Sequence, residues 1–127
     1  GSYINLTDDL ETIKQRLAGA PTDSGKGEGV PEEGGVVNLL KLVALFQGQD
    51  KRKEYAAQYK GAGIRYSELK EGLAKAIYEE LKPIQERRRL YENDPSLVEK
   101  ILKEGAQKAR KVAAETLLET KKAMGLV

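Results

Sequence analysis

Residues 67–84, SELKEGLAKAIYEELKPI, set Leu69, Leu73, Ile77, Leu81 and Ile84 at successive steps of four, four, four and three, the repeat of one helical face. Ser67 suits the start of that helix. Pro83 falls inside the ladder and offers no N–H to the Glu79 carbonyl. It is expected to bend the helix, with the apolar pattern resuming through Leu90. Asp94-Pro95 then opens a second long helix, an acid at the N-cap followed by proline at the first helical position, running to about Met124. Its expected buried stripe is Leu97 or Val98, Ile101, Gly105, Ala109, Val112, Thr116 and Met124, with Ala106 and Ala113 alongside. A mid-helix glycine costs roughly 1 kcal/mol against alanine, so close approach of a neighbouring helix is the expected reason for Gly105.

Upstream, Ile4 and Leu6 precede Thr7-Asp8-Asp9, which supply N-cap candidates for a helix carrying Leu10, Ile13 and Leu17 and stopped by Gly19 and Pro21. Residues 19–35, with Pro21, Gly25, Gly27, Gly29 and Pro31 among polar neighbours, read as a flexible surface loop. From Val36 to Phe46 only Asn38 and Lys41 are polar. The β-branched content admits a buried strand, but the length, the leucines and the stop at Gly48 point to a central helix. Asp50 is expected to cap a polar helix through Tyr59, with Tyr55, Ala56 and Tyr59 inward and Gly61-Ala62-Gly63 ending it. The fold expected is an all-α bundle of about five helices, the last two long and antiparallel.

Composition removes whole classes of chemistry. The 127 residues include no His, no Cys and no Trp, which excludes Cys/His zinc sites, thiol catalysis, a Ser-His-Asp triad and imidazole acid–base work. No apolar run approaches 18 residues and the start carries no leader pattern, so a soluble, cytoplasmic protein without a membrane partner is expected. Gly1-Ser2 looks like a cloning remnant. Lys and Arg number 22 against 20 Asp and Glu, yet Lys82 to Lys111 holds nine basic residues and only five acidic ones. Such local excess fits an anionic partner, and equally an interspersed Lys/Glu surface on long helices.

The side-chain constellations divide unequally. Gly25-Lys26-Gly27-Glu28-Gly29 lacks the preceding strand and following Lys-Ser/Thr helix of a phosphate loop and reads as plain loop. Thr22-Asp23-Ser24 reads as an Asx or Ser/Thr turn, since no partner base exists to activate a hydroxyl. Asp8 with Asp9, and Glu79 with Glu80, diverge on a helix and read as caps and solvated surface. Arg87-Arg88-Arg89 with Lys108, Arg110 and Lys111 alone point toward binding. Placed on two antiparallel helices joined at Asp94, the two groups would lie at comparable heights. Each Arg can grip phosphate with a fork, and Tyr91 offers a stacking face to an unpaired base. The competing reading pairs these cations with Glu86, Glu104 and Glu115.

Several segments carry a resemblance. Tyr3-Ile4, Asp8-Asp9, Ile13 and Thr22-Asp23-Ser24 come first, then Gly35-Val36-Val37-Asn38-Leu39-Leu40, Phe46-Gln47-Gly48 and Gln58-Tyr59-Lys60-Gly61. Leu81-Lys82-Pro83-Ile84-Gln85-Glu86-Arg87, Glu104-Gly105-Ala106-Gln107-Lys108-Ala109 and Met124-Gly125-Leu126 complete the series. In this order they resemble the carboxy-terminal part of bacterial tryptophanyl-tRNA synthetases over nearly the whole chain. The family's His-Ile-Gly-His-like and Lys-Met-Ser-Lys-Ser signatures are absent, so the chain looks like a piece cut just after the lysine loop.

The resemblance implies a class I parent, a homodimer that uses ATP and Mg²⁺ to attach L-tryptophan to tRNA(Trp). Residues 3–127 would form its helical anticodon-binding domain, itself monomeric, inactive alone and without a cofactor. Its partners would be tRNA(Trp) and the parent's Rossmann-type catalytic domain. The alternative is a helical module that only packs on that domain. Arg87 falls in the family's Pro-Ile-Gln-Glu-Arg pattern and Lys108 in its Glu-Gly-Ala-x-Lys-Ala pattern, which makes them the first tRNA-contact candidates. Arg88, Arg110 and Lys111 are candidates by charge and Tyr91 by stacking. An internal polar network through Gln85 or Glu104 is the other reading of Arg87 and Lys108. The loop departs from the family in carrying Ala20-Pro21 where Ala-Val is usual.

Overall fold

The computed structural model describes residues 3–127, and among them every regular element is helical. The helices are α1 (Leu10–Ala18), α2 (Gly35–Phe46), α3 (Gln49–Lys60), α4 (Tyr66–Asn93) and α5 (Pro95–Ala123). The chain divides into two compact units, the first ending at Glu86 and the second covering Arg87–Val127. No helix is long and apolar enough to cross a membrane among the described residues.

The first unit owns the hydrophobic core. The α4 ladder Leu69, Leu73, Ile77 and Leu81 is buried against Ile13 and Leu17 of α1, Val36, Leu39, Leu40 and Val43 of α2, and Tyr55 and Tyr59 of α3. The spacing of four puts those α4 side chains on a single stripe, so the core is continuous. Ile84 ends the ladder exposed. α2 is central as its composition expects, although Leu45 faces outward at 73% exposure. Pro83 lies within α4, and the helix continues to Asn93.

Asp9 is the N-cap of α1, its Oδ1 accepting from the Thr12 amide at 2.8 Å. Its neighbour Asp8 is not solvated surface as expected but buried, at 8% exposure. The Asp8 carboxylate accepts from the Asn5 backbone amide (2.8 Å) and side-chain amide (3.1 Å). Arg16 Nε stands 2.9 Å away as an ion pair. Burial raises the Asp8 pKa, but the Asn5 hydrogen bonds and the Arg16 charge outweigh it and hold the carboxyl below its ordinary value. The Gln85 side chain donates to the Leu6 and Asp8 carbonyls at 3.0 and 2.9 Å, tying α4 to the segment before α1. For α3 the expected cap is not seen. Gly48 holds the N-cap position without a side-chain bond, and Asp50 sits in the first turn and pairs with Lys53 at 3.1 Å.

Residues 19–35 form neither helix nor strand apart from Gly35 itself, which begins α2. The first half of this stretch is bonded to the bundle. Gly27 N–H donates to the Tyr59 carbonyl at 3.1 Å, and Ile64 N–H donates to the Gly25 carbonyl at 2.8 Å. The Lys70 ammonium donates to the carbonyls of Ala18 and Ala20, both at 2.9 Å, satisfying the carboxy-terminal end of α1 from α4.

In the second unit Asp94 caps α5 as its sequence predicts, accepting from the Leu97 amide at 3.0 Å and from Ser96 Oγ at 2.6 Å. The expected buried stripe is not observed. No residue of α5 is buried: Val98 is half-buried, while Leu97, Ile101, Val112 and Met124 are exposed. Thr116 spends its hydroxyl on the Val112 carbonyl of its own helix at 3.1 Å. A Cβ built on Gly105 meets nothing within 4 Å, so close helix packing is not the reason for that glycine. Gly105→Ala is therefore expected to raise helix stability by about 0.5–1 kcal/mol, read as increased helical circular dichroism on warming.

Candidate nucleic-acid interface

Arg87, Arg88, Arg89 and Tyr91 lie on the last turns of α4, and Lys108, Arg110 and Lys111 at mid-length in α5, all exposed. Their helical phases sort them. Arg87 and Tyr91 are four apart and share a face, as do Lys108 and Lys111 at three apart, whereas Arg110 is turned away from Lys108. At 1.5 Å per residue, Arg87 stands about 10 Å along its helix from Asp94 and Lys108 about 21 Å along the other. The two groups therefore do not share a height from the turn. They spread positive charge along the unit instead of converging on one point.

The ion pairs separate the cations further. Arg88 Nε pairs with Glu92 at 2.7 Å across one helical turn. Arg87, Lys108, Arg110 and Lys111 belong to none of the ion pairs among the described residues. Gln85, a proposed internal partner for Arg87, is engaged with Leu6 and Asp8. Tyr91 is 42% exposed and leaves ring surface open to solvent. An unpaired guanidinium with an aromatic ring one turn away can fork a phosphate while an adjacent base stacks.

Comparison with known proteins adds relatives. Over 128 aligned residues the chain is 39% identical to the tryptophan–tRNA ligase of Halalkalibacterium halodurans, covering 98% of this chain and 37% of that protein. The chain is a homologue of the tryptophan–tRNA ligases over nearly all of its own length. The ligase of Clostridium tetani is 36% identical over 132 residues, with 98% of this chain and 36% of that protein aligned. That of Bacillus anthracis is 36% identical over 130 residues, with 98% and 37% aligned. The chain thus spans little more than a third of these ligases and corresponds to a carboxy-terminal region of them. No protein-family model matches it.

The Gly27 amide in the glycine-rich stretch, which a phosphate cradle would need, is spent on the Tyr59 carbonyl. Among the described residues no group of three or more His, Cys, Asp or Glu side chains is placed to hold a metal ion.

The residue whose part the sequence understates is Asp23. As expected it makes an Asx turn, Oδ1 accepting from the Gly25 amide at 2.8 Å. The same carboxylate also accepts from Tyr59 Oη at 2.6 Å and from Tyr66 Oη, joining the loop to α3 and α4. Burial raises its pKa, but the Tyr59 and Tyr66 hydrogen bonds and the Gly25 amide prevail and hold it low. Burial and the Asp23 bond push the Tyr66 hydroxyl well above its ordinary value.

Proposed function

We propose that this chain is the tRNA-facing helical region of a tryptophan–tRNA ligase and holds the anticodon arm of tRNA(Trp). The observation that supports this reading is the set of exposed cations without ion-pair partners, Arg87, Lys108, Arg110 and Lys111, in a chain homologous to these ligases. Arg87 and Lys108 grip phosphates, Tyr91 stacks on an unpaired base, and Arg88 contributes by leaving Glu92. ATP and Mg²⁺ are handled elsewhere in the parent, whose activity is the attachment of L-tryptophan to tRNA(Trp). The uncovered apolar residues of α5, Leu97, Ile101 and Val112 among them, suit a second contact with the remainder of the parent. The region around Ile4, Leu6 and Leu10 is poorer in free apolar surface, because Ile4 and Leu10 pack on the core.

The test is binding of the 127-residue chain to tRNA(Trp) and to an anticodon-substituted tRNA across a salt series. Phosphate contact predicts affinity falling with salt, and Arg87→Ala or Lys108→Ala each reducing the salt slope by about one. Base reading predicts weaker binding of the altered anticodon. Equal binding of both tRNAs, or variants that lower melting temperature while leaving affinity unchanged, would refute the assignment.

A further inference from the structure

The first unit carries a second group of cations, around a hollow with an apolar floor. Gly29 and Val30 of the 19–35 stretch, Leu40 of α2, and Arg52, Lys53, Ala56 and Lys60 of α3 line a recess of about 320 Å³. Arg52, Ala56 and Lys60 are spaced by four, so one face of α3 presents a small residue flanked by two cations. Eight residues of helix place those cations about 12 Å apart along the axis. Arg52 and Lys60 belong to none of the ion pairs among the described residues, and Lys53 pairs only with the fully exposed Asp50 at 3.1 Å. The half-buried Val30 and Ala56 supply an apolar surface between the charges, with the buried Leu40 beneath them. A Cβ added at Gly29 meets nothing within 4 Å, so the backbone at the rim is open to close approach.

We propose that this hollow seats one nucleotide of an unpaired RNA strand, its base on Val30 and Ala56 and its flanking phosphates on Arg52 and Lys60. The volume is at the small end of the roughly 300–1,000 Å³ range of ligand sites and suits a single nucleotide. A carboxylate side chain of a peptide would satisfy the cations but leave the floor bare. A base-paired strand would bring phosphates to the rim while keeping its bases away from the floor. Cation-flanked apolar surface is the combination that single-stranded nucleic acid uses. The site shares no residue with the α4 and α5 cluster, so it stands or falls independently of the anticodon-arm reading.

The experiment uses the 127-residue chain with four probes: a single-stranded RNA octamer, the same octamer as a duplex, adenosine 5′-monophosphate and inorganic phosphate. The single strand is expected to shift the amide resonances of Val30 and Ala56 and to bind at least fivefold tighter than the duplex. Arg52→Glu, Lys60→Glu and Gly29→Glu are each expected to weaken it fivefold or more, with the circular dichroism spectrum unchanged. In an Arg87→Ala/Lys108→Ala background the same fold-losses are expected, even if that background has lost tRNA binding. Saturation by inorganic phosphate as effective as by the octamer would reduce the site to an unselective cation cluster and overturn the proposal. Occupancy by the monophosphate without the octamer would assign it to a free nucleotide and overturn the RNA assignment. Octamer shifts confined to residues outside the recess would overturn it as well.

Discussion

Gly35→Ala is expected to lower the melting temperature by on the order of 10 °C or to abolish folding. Gly35 is the first residue of α2, where the loop chain passes directly over it. A Cβ there would overlap the Pro21 carbonyl oxygen and lie 2.6 Å from the Pro21 carbonyl carbon. Neither partner is a side chain that could rotate away. Relief requires moving α2, which carries the buried Val36, Leu39, Leu40 and Val43, or moving the loop. Overpacking in a dense interior costs about 1–3 kcal/mol and more where backbone must yield, so about 3 kcal/mol is expected here. Gly29→Ala is the matched control, since its added methyl enters open space and should leave stability within about 0.5 kcal/mol. Thermal denaturation of the two variants side by side decides the matter, and equal melting temperatures would contradict the close approach.

Asp23→Ala is expected to cost about 2 kcal/mol, because it orphans two tyrosine hydroxyls and one amide at a stroke. The contribution also depends on pH in a defined sense. The folded-state pKa of Asp23 is depressed, so its stabilisation is present above the ordinary carboxylate value of about 3.9 and is lost as pH falls through the folded value. Tyr59 and Tyr66 are shifted up, Tyr59 chiefly by its bond to Asp23 and Tyr66 chiefly by burial. Their share is complete below the ordinary tyrosine value of about 10 and declines as pH climbs through the folded values. The difference in melting temperature between the native chain and Asp23→Ala should form a plateau near neutrality and narrow at both extremes. A difference that does not change down to pH 2 would show that the carboxylate charge is not what holds the loop.

The parts of the fold legible in the sequence are those carried by local periodicity. The α4 ladder, the all-round apolar α2, and the caps at Asp9 and Asp94 are each written within a few neighbouring residues. Legibility fails where the deciding partner is distant. Asp8 is buried because Arg16 and Asn5 reach it, and nothing in an Asp8-Asp9 pair says which one turns inward. The tie from Asp23 to Tyr59 and Tyr66 spans 36 and 43 positions. On α5 an amphipathic pattern identifies the helix but not whether anything covers it, and its stripe is exposed. The charged cluster at Arg87 and Lys108 is visible as composition, and its spread follows from residue offsets to Asp94, whereas the pairing of Arg88 with Glu92 while Arg87 joins no ion pair among the described residues emerges only from the structure. The α3 cations were hidden because Lys51, Arg52 and Lys53 lie among acids, and only the four-residue spacing to Ala56 and Lys60 separates them.

A helix that buries nothing is held by its own hydrogen bonds and propensities, without the cooperativity that a shared interior confers. The cooperative melting of this chain therefore belongs to the residues before Arg87, which hold the core. In a calorimetric scan that portion gives the sharp transition, and Pro95–Ala123 contributes a broad, weakly cooperative background. Changes in the last helix need an observable that counts helical residues directly, because a substitution silent in the main transition can still shift its winding.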